Sequence, residues 1–229
     1  MHLQTEPSIL YFGTPVVLIS TKNENGTDNL APMSSIFWLG WRCVIGLSAV
    51  SKTTQNLIRN REGVLNLPSV NEVSAVNRLA KTTGSNPVPA GKLPRGYHYV
   101  EDKFTLAGLG KLPSAIVAAP RAEQCPVHME VVVEAIHGLA DNDEAVRGKV
   151  ISFELRVVKV HLDESILMAG SSNHVDPDKW RPLIMSFQQF YGLGEKAHYS
   201  TLGEISESLY NTPDREKVIE SKGALVHSN

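Results

Sequence analysis

The stretch from Val127 to Leu162 constrains the fold more than any other part of the chain. Val127, Met129, Val131, Val133 and Ala135 alternate with His128, Glu130 and Glu134, and only Val132 interrupts the polar set. Successive side chains of a strand point to opposite faces, so this spacing predicts a strand with one buried and one wet face. Lys149–Leu162 (KVISFELRVVKVHL) reads as a second long strand. The polar segment Asp141–Gly148 joins the two, which predicts an antiparallel hairpin.

The first half of the chain supplies more strands. Thr14–Ser20 (TPVVLIS) is a β-branched run closed by the turn-rich NENGTDN. Leu30–Phe37 and Arg42–Ser48 follow, with Trp38-Leu39-Gly40-Trp41 as a tight connection between them. Ser51–Arg61 is expected to be helical and Val64–Leu67 a short buried strand. Val73, Val76, Leu79 and Ala80 sit at helical spacing, which predicts a second short helix over Asn71–Lys81. Thr82–Tyr99 has three prolines and three glycines and reads as a long loop, either a binding lid or an exposed excursion. In the second half, Ala115–Ala119 is a short apolar run grouped with the strands. A polar helical piece is expected near Glu204–Leu209. Many antiparallel strands with short helices between them point to a mainly β barrel and not to a parallel α/β fold.

A length of 229 residues suits one large domain, or one domain and a short arm. The net charge of −2 argues against nucleic acid as the main partner, because binding it needs clustered Lys and Arg. No run reaches the ~18–20 apolar residues of a membrane span. The start, MHLQTEPSIL, lacks the basic and apolar regions of a secretory signal. Asn25-Gly26-Thr27 fits a glycosylation sequon but reads as a turn. Cys43 and Cys125 lie in or beside apolar segments and are expected to be buried free thiols. These features together predict a cytoplasmic protein. No metal cluster or catalytic dyad stands out, so the catalytic residues stay unassigned.

The chemistry-bearing stretch is Ser48-Ala49-Val50-Ser51-Lys52-Thr53-Thr54-Gln55-Asn56. A strand ends here and a helix begins, with Ser51 as the N-cap. Acids usually complement a positive helix start, yet this first turn carries Lys52, Thr53 and Thr54 and no acid. Hydroxyls, a lysine and free N–H groups make a phosphate site; an ordinary capped helix with a surface lysine is the competing reading. Asn29-Leu30-Ala31-Pro32-Met33-Ser34-Ser35 is small or polar, which lets a flat ring approach the backbone. Standing alone it is also a polar edge strand. Asn66, in GVLNLPS, is either a structural pin or a ligand contact.

The order PVVLIST, DNLAPMSSIFWLG, VIGLSAVSKTTQNLIRNREGVLNLP resembles the flavin-reductase-like, FMN-binding split-barrel family. That family includes flavoredoxins and the reductase components of two-component monooxygenases. AGKLPRGYHYVEDKFTLAGL, EQCPVHMEVVVE and DKWRPLIMSFQQFYGLG continue the resemblance, which spans about Ile9 to Gly194. It implies a split β-barrel of Greek-key type over residues 1–200, followed by a polar extension over 201–229. It further implies a homodimer with FMN at or near the interface. Asn29, Ala31, Pro32, Met33, Ser34 and Ser35 would contact the isoalloxazine ring, and Ser51, Lys52, Thr53 and Thr54 would hold the phosphate. Lys103 of EDKF, with Lys92 as competitor, would be a further flavin contact, and His128 matches a position near the flavin. A lone strand histidine is also commonly structural. The implied activity is NAD(P)H:flavin reduction, with electrons passing to an acceptor or a monooxygenase. The alternative is a flavoredoxin-like carrier without its own nicotinamide site. Haem binding or a pure binding module are further uses of related barrels. The stretch from Lys81 to Tyr99 is long for the compact flavin reductases and resembles the flavoredoxin branch.

Overall fold

The computed structural model describes residues 1–226, with side chains as far as Glu220. In chain order the elements begin with β1 (Phe12–Pro15), β2 (Val17–Lys22), β3 (Asp28–Met33), β4 (Ile36–Leu39) and β5 (Arg42–Ser48). Next come α1 (Lys52–Asn60), β6 (Glu62–Leu67), α2 (Val73–Arg78), β7 (Thr82–Thr83), β8 (His98–Tyr99) and α3 (Lys103–Ala107). The chain continues with β9 (Lys111–Leu112), β10 (Arg121–Ala122), β11 (Val127–Gly138) and β12 (Val150–Leu162). It closes with β13 (Ile184–Ser186), β14 (Gln189–Tyr191) and α4 (Pro213–Val226).

The β11–β12 hairpin forms as its alternation predicts, paired from Val127↔Leu162 to Gly138↔Ile151. Two register shifts in β11, at Glu130/Val131 and Val133/Ala135, bend it. A seven-stranded sheet grows around this pair in the order β3-β2-β6-β11-β12-β5-β4. Its pairings are antiparallel, and its ends, β3 and β4, do not pair with each other. This is the mainly β split-barrel architecture with few helices that the sequence implies.

β2 is buried on both faces, which explains its unbroken apolar run. Val17 and Ile19 join Ile45, Leu65, Val131, Phe153 and Leu155 in the core enclosed by the curved sheet. Val16 and Leu18 face the other way, onto Val76, Leu79, Phe104 and Ala107 of the α2–α3 layer. Two layers of core therefore fix β2, and with it the neighbouring β3.

Several expectations change. The face of β11 that carries His128 and Glu130 is not wet: His128 is 6% exposed and Glu130 is 0% exposed. The segment 113–122 covers it. Ala115–Ala119 is not a strand, because its N–H groups bond to carboxylates and not to a ladder. Ala115, Ile116 and Val117 donate to Glu130 at 2.8, 2.6 and 3.1 Å, and Ala118 donates to Glu62 at 2.7 Å. Leu30–Phe37 divides at Ser34–Ser35 into β3 and β4. β4 runs on to Leu39, so the tight connection shortens to Gly40-Trp41, with Gly40 at φ 61°. The second helix is shorter than Asn71–Lys81, with a 3₁₀ turn at 70–72 before α2.

The long segment 82–99 is not one open loop. β7 and β8 pair in parallel, Thr82↔His98 and Thr83↔Tyr99, and a 3₁₀ turn spans 90–95. The polar piece near Glu204–Leu209 is two 3₁₀ turns, and the regular helix of the tail begins later, at Pro213. That tail returns to the sheet: Arg42 of β5 donates through Nε to Asp214 at 2.8 Å and also pairs with Glu154 of β12. Among the described residues no helix is long and apolar enough to cross a membrane.

Candidate functional site

The start of α1 is built as its residues predict. Ser51 is extended (φ −78°, ψ 146°), and its Oγ accepts the Thr54 N–H at 3.0 Å. Thr54 Oγ1 donates to the carbonyl of Ser48 at 2.8 Å, tying the helix to the end of β5. The other end closes at Arg61, left-handed at φ 60°, whose N–H returns to Leu57. No acid stands in the first turn, while Arg59 complements the last. The N–H groups of Lys52 and Thr53 have no acceptor among the described residues. The positive end of this helix therefore has no acid in its first turn and no acceptor for these N–H groups among the described residues, as an anion site requires.

Beneath it lies a buried polar group drawn from four elements. Asn29 of β3 is 2% exposed. Its Nδ2 donates to Thr53 Oγ1 of α1 at 3.1 Å and more weakly to Thr21 Oγ1 of β2 at 3.4 Å. Its Oδ1 accepts from Lys103 Nζ at 3.2 Å. Lys103 opens α3 behind the Asp102 cap, whose Oδ1 accepts the Thr105 N–H at 3.1 Å. An ammonium has three donors, and among the described residues this one meets a single neutral acceptor. Burial, aided by the charge of Lys92, pushes the Lys103 amine down to about 7. Asn56 extends the group, donating to Thr21 Oγ1 and Asn23 Oδ1 at 2.9 Å each.

The 82–101 segment closes over this group at Gly84. A Cβ there would lie 2.6 Å from Asn29 Oδ1 and 3.1 Å from Lys52 Cγ. The neighbouring Ser85 is 7% exposed, and its hydroxyl has no partner among the described residues. Lys92, in the 3₁₀ turn, is half-buried with Nζ 5.3 Å from the centre of the Tyr97 ring, and burial lowers its pKa. Beside Lys52 and Gly84 opens a polar cleft of about 400 Å³, lined also by Asn23, Glu24, Asn86, Tyr99 and Glu101.

Thus Asn29, Thr53 and Lys103 are hydrogen-bonded together, and Ser51, Lys52 and Thr54 adjoin them on the first turn of α1. Ala31, Pro32 and Met33 continue along β3, half-buried on an edge strand whose outer side is free to pair. Ser34 and Ser35 form the break after it. The Ser35 carbonyl accepts the Gly46 N–H at 2.9 Å and its hydroxyl bonds Tyr11 Oη at 2.9 Å, so neither serine bonds to the Asn29 group.

His128 stands apart from that group. Its Nε2 bonds the Ala122 carbonyl at 2.8 Å, and burial pushes its pKa down to about 4, so it is neutral. Opposite it, Asn66 Oδ1 accepts the Ala122 N–H at 2.7 Å while its Nδ2 donates to the Leu18 carbonyl at 2.8 Å. Asn66 is a structural pin, and His128 holds the same residue of β10. Sequence reasoning missed Thr21, Asn56 and Gly84. Asn56 carried a signal, being polar beside Leu57 on the buried side of α1; Gly84 carried none, because its role depends on a contact with Asn29 from a distant strand.

A family model for the flavin reductase like domain matches residues 9–194. The uncharacterised protein YdfE of Bacillus subtilis is 34% identical over 193 residues, 84% of this chain and 90% of that one. Among solved structures, flavoredoxin of Desulfovibrio vulgaris superposes with a TM-score of 0.70 at 19% identity, covering 90% of this chain and all of the other. Component B of nitrilotriacetate monooxygenase from Bacillus cereus gives 0.66 at 20% identity, over 84% and 89%.

Proposed function

The chain belongs to the flavin reductase like domain family, and from that premise we propose that it binds FMN and acts as an NAD(P)H:flavin oxidoreductase. One observation carries the reading: a buried lysine of α3 and an acid-free helix start of α1, each with donors left over, converge on Asn29 of β3, which hydrogen-bonds to both. Such a set suits a ligand that is anionic at one end and rich in acceptors along a flat ring. Ser51, Lys52, Thr53 and Thr54 are assigned to the phosphate. Asn29 and Ala31–Ser35 are assigned to the ring, with Lys103 as a further contact. His128 is assigned to the support of β10, since its ring nitrogen is committed to Ala122.

Bound FMN would supply hydride acceptance from reduced nicotinamide and the onward passage of electrons. The chain's own share is to hold and orient. Thr54 and Ser51 keep the first turn in register with β5, so the free N–H groups of Lys52 and Thr53 stay aimed at one point. Asn29 fixes Lys103, and the lysine brings positive charge wherever negative charge gathers on its ligand. Gly84 lets the covering segment come within contact of Asn29 and keep water out. The domain is assigned to residues 1–200 and the extension to 201–229. We further assign the protein to the cytoplasm, as a homodimer serving a monooxygenase or another acceptor.

The test is a visible spectrum of the purified protein supplied with FMN, then anaerobic NADH or NADPH. A flavin spectrum that bleaches without another protein supports the reductase. Bleaching only with a partner reductase assigns the carrier role instead. No flavin binding and no acceleration of NAD(P)H oxidation overturns both.

A further inference from the structure

The segment 73–100 carries Arg78, Lys81, Lys92 and Arg95 and no acid. The chain holds 22 Lys and Arg against 24 Asp and Glu, so the residues outside this segment are net −6. We propose that its exposed part, over 81–99, is the docking face for an acidic protein that accepts the electrons of the bound flavin. The inference rests on the flavin reading only in naming that protein an electron acceptor.

The fold gathers these cations. The His98 N–H donates to the Lys81 carbonyl at 3.0 Å where β7 and β8 pair, and the Tyr97 N–H returns to the Lys92 carbonyl at 3.3 Å. A Cβ at Gly96, next to Arg95, would lie 3.8 Å from Lys81 Cδ. Lys81, Lys92 and Arg95 therefore stand on one small platform. None of the three forms an ion pair or a side-chain hydrogen bond among the described residues, and Lys81 and Arg95 are exposed. Elsewhere cations are neutralised: Lys22 and Lys111 by Asp28, Arg156 by Glu134. Arg78 is turned away, onto the Ala107 carbonyl. The acids that follow the segment are placed otherwise, Glu101 in the wall of the cleft and Asp102 as the cap of α3. A patch of one sign steers a partner of the other, raising its association rate about tenfold or more.

The composition of the face selects a protein. Leu93, 58% exposed, and Tyr99, 39% exposed, lie among these cations. Apolar anchors within a charged rim are the anatomy of a protein interface. A nucleic acid is held through about six to ten phosphate contacts, more than three side chains supply. Location selects the acceptor. The same segment closes over Asn29 at Gly84, and Lys92 is near enough for its charge to act on Lys103. A protein docked on 81–99 is separated from the ligand of that group by this one layer of chain.

The first experiment titrates protein supplied with FMN calorimetrically with poly-L-glutamate, alongside the Lys81→Glu/Arg95→Glu variant. Binding is expected to weaken with salt and to be about tenfold weaker in the variant at low salt. No binding, binding indifferent to salt, or equal binding by the variant overturns the proposal. Lys81→Gln/Arg95→Gln adds no repulsion and should fall between the two; it carries the test if the reversed pair does not fold. Tighter binding of duplex DNA or of phosphatidylglycerol vesicles than of poly-L-glutamate overturns the choice of a protein.

The second experiment uses two haem proteins as electron acceptors, the acidic cytochrome b5 and the basic cytochrome c. Each NADH or NADPH yields its oxidised form, a proton to solvent and two electrons, one for each of two ferric haems. Reduction of cytochrome b5 should slow about tenfold in the reversed variant, and reduction of cytochrome c should not slow. Equal slowing of both, or of neither, overturns the assignment to an acceptor. Quenching of FMN fluorescence in the same samples reads the flavin site separately. Intact quenching without poly-L-glutamate binding removes the docking face and leaves the flavin reading standing. Charge-dependent poly-L-glutamate binding without quenching does the reverse.

Discussion

Lys103 holds its ammonium 3.2 Å from Asn29 Oδ1 while only 3% exposed, so a potential positive charge is kept inside the protein against one neutral oxygen. Burial first, and the charge of Lys92 second, bring the amine to about 7 from its ordinary value of 10.5. Between those two values the unfolded chain binds more protons than the folded one, so stability due to Lys103 rises with pH across that window. Lys103→Met should lack this rise. Melting temperatures of the two proteins are expected to converge as pH climbs through the window; parallel profiles would refute the burial argument. FMN affinity of the wild type should also fall over the same range, and that of the variant should not.

Gly84→Ala tests whether close approach of the covering segment is required. The new methyl group would lie 2.6 Å from Asn29 Oδ1, which must shift and loosen its hold on Lys103. A loss of about 1–3 kcal/mol in denaturant unfolding is expected, as for overpacking elsewhere, together with weaker FMN binding. Unchanged stability and affinity would show that the segment has room to move.

Glu130→Ala should be costly although it lies far from the Asn29 group in the chain. It strips acceptors from three backbone N–H groups and from His161, which lies 2.7 Å away. A loss of about 3 kcal/mol or more is expected. Burial raises the Glu130 pKa, but the bonds from Ala115, His161, Ile116 and Val117 outweigh it and leave a net lowering. Its stabilisation is therefore complete above the ordinary carboxyl range and lost as pH falls through the lower folded value. The variant should show a shallower acid limb in its stability profile than the wild type.

Cys43 and Cys125 are both free and buried, and burial raises both thiol pKa values, that of Cys43 to about 12. Neither should react with a thiol reagent in the native protein, and both should react in denaturant. Rapid labelling of a native thiol would contradict this packing.

The β11–β12 hairpin and the α1 caps were legible because each depends on neighbours in sequence: alternation in one case, Ser51 and its Thr54 in the other. The same alternation misled on the second face of β11. Polarity of His128 and Glu130 suggested water, whereas both are enclosed and satisfied by the 113–122 segment. Ala115–Ala119 misled in the opposite sense, its apolar composition suggesting a strand where its donors go to Glu130 and Glu62. In the site, Asn29 and Lys103 could be picked out along the chain, but their bond to each other could not. Thr21 and Gly84 matter only because β2 and β7 arrive beside β3, which no local pattern encodes.

The carboxylate grip on 115–118 also has a consequence for how this chain can vary. Glu130 and Glu62 recognise backbone groups, which every residue but proline carries, so the shape of that segment is specified from outside it. Ala115, Ile116 and Ala118 are exposed and should accept almost any side chain, with Val117 restricted by its burial. Information that would ordinarily reside in a loop is here written in two glutamates on β6 and β11. Relatives could diverge freely along the segment and still present the same surface.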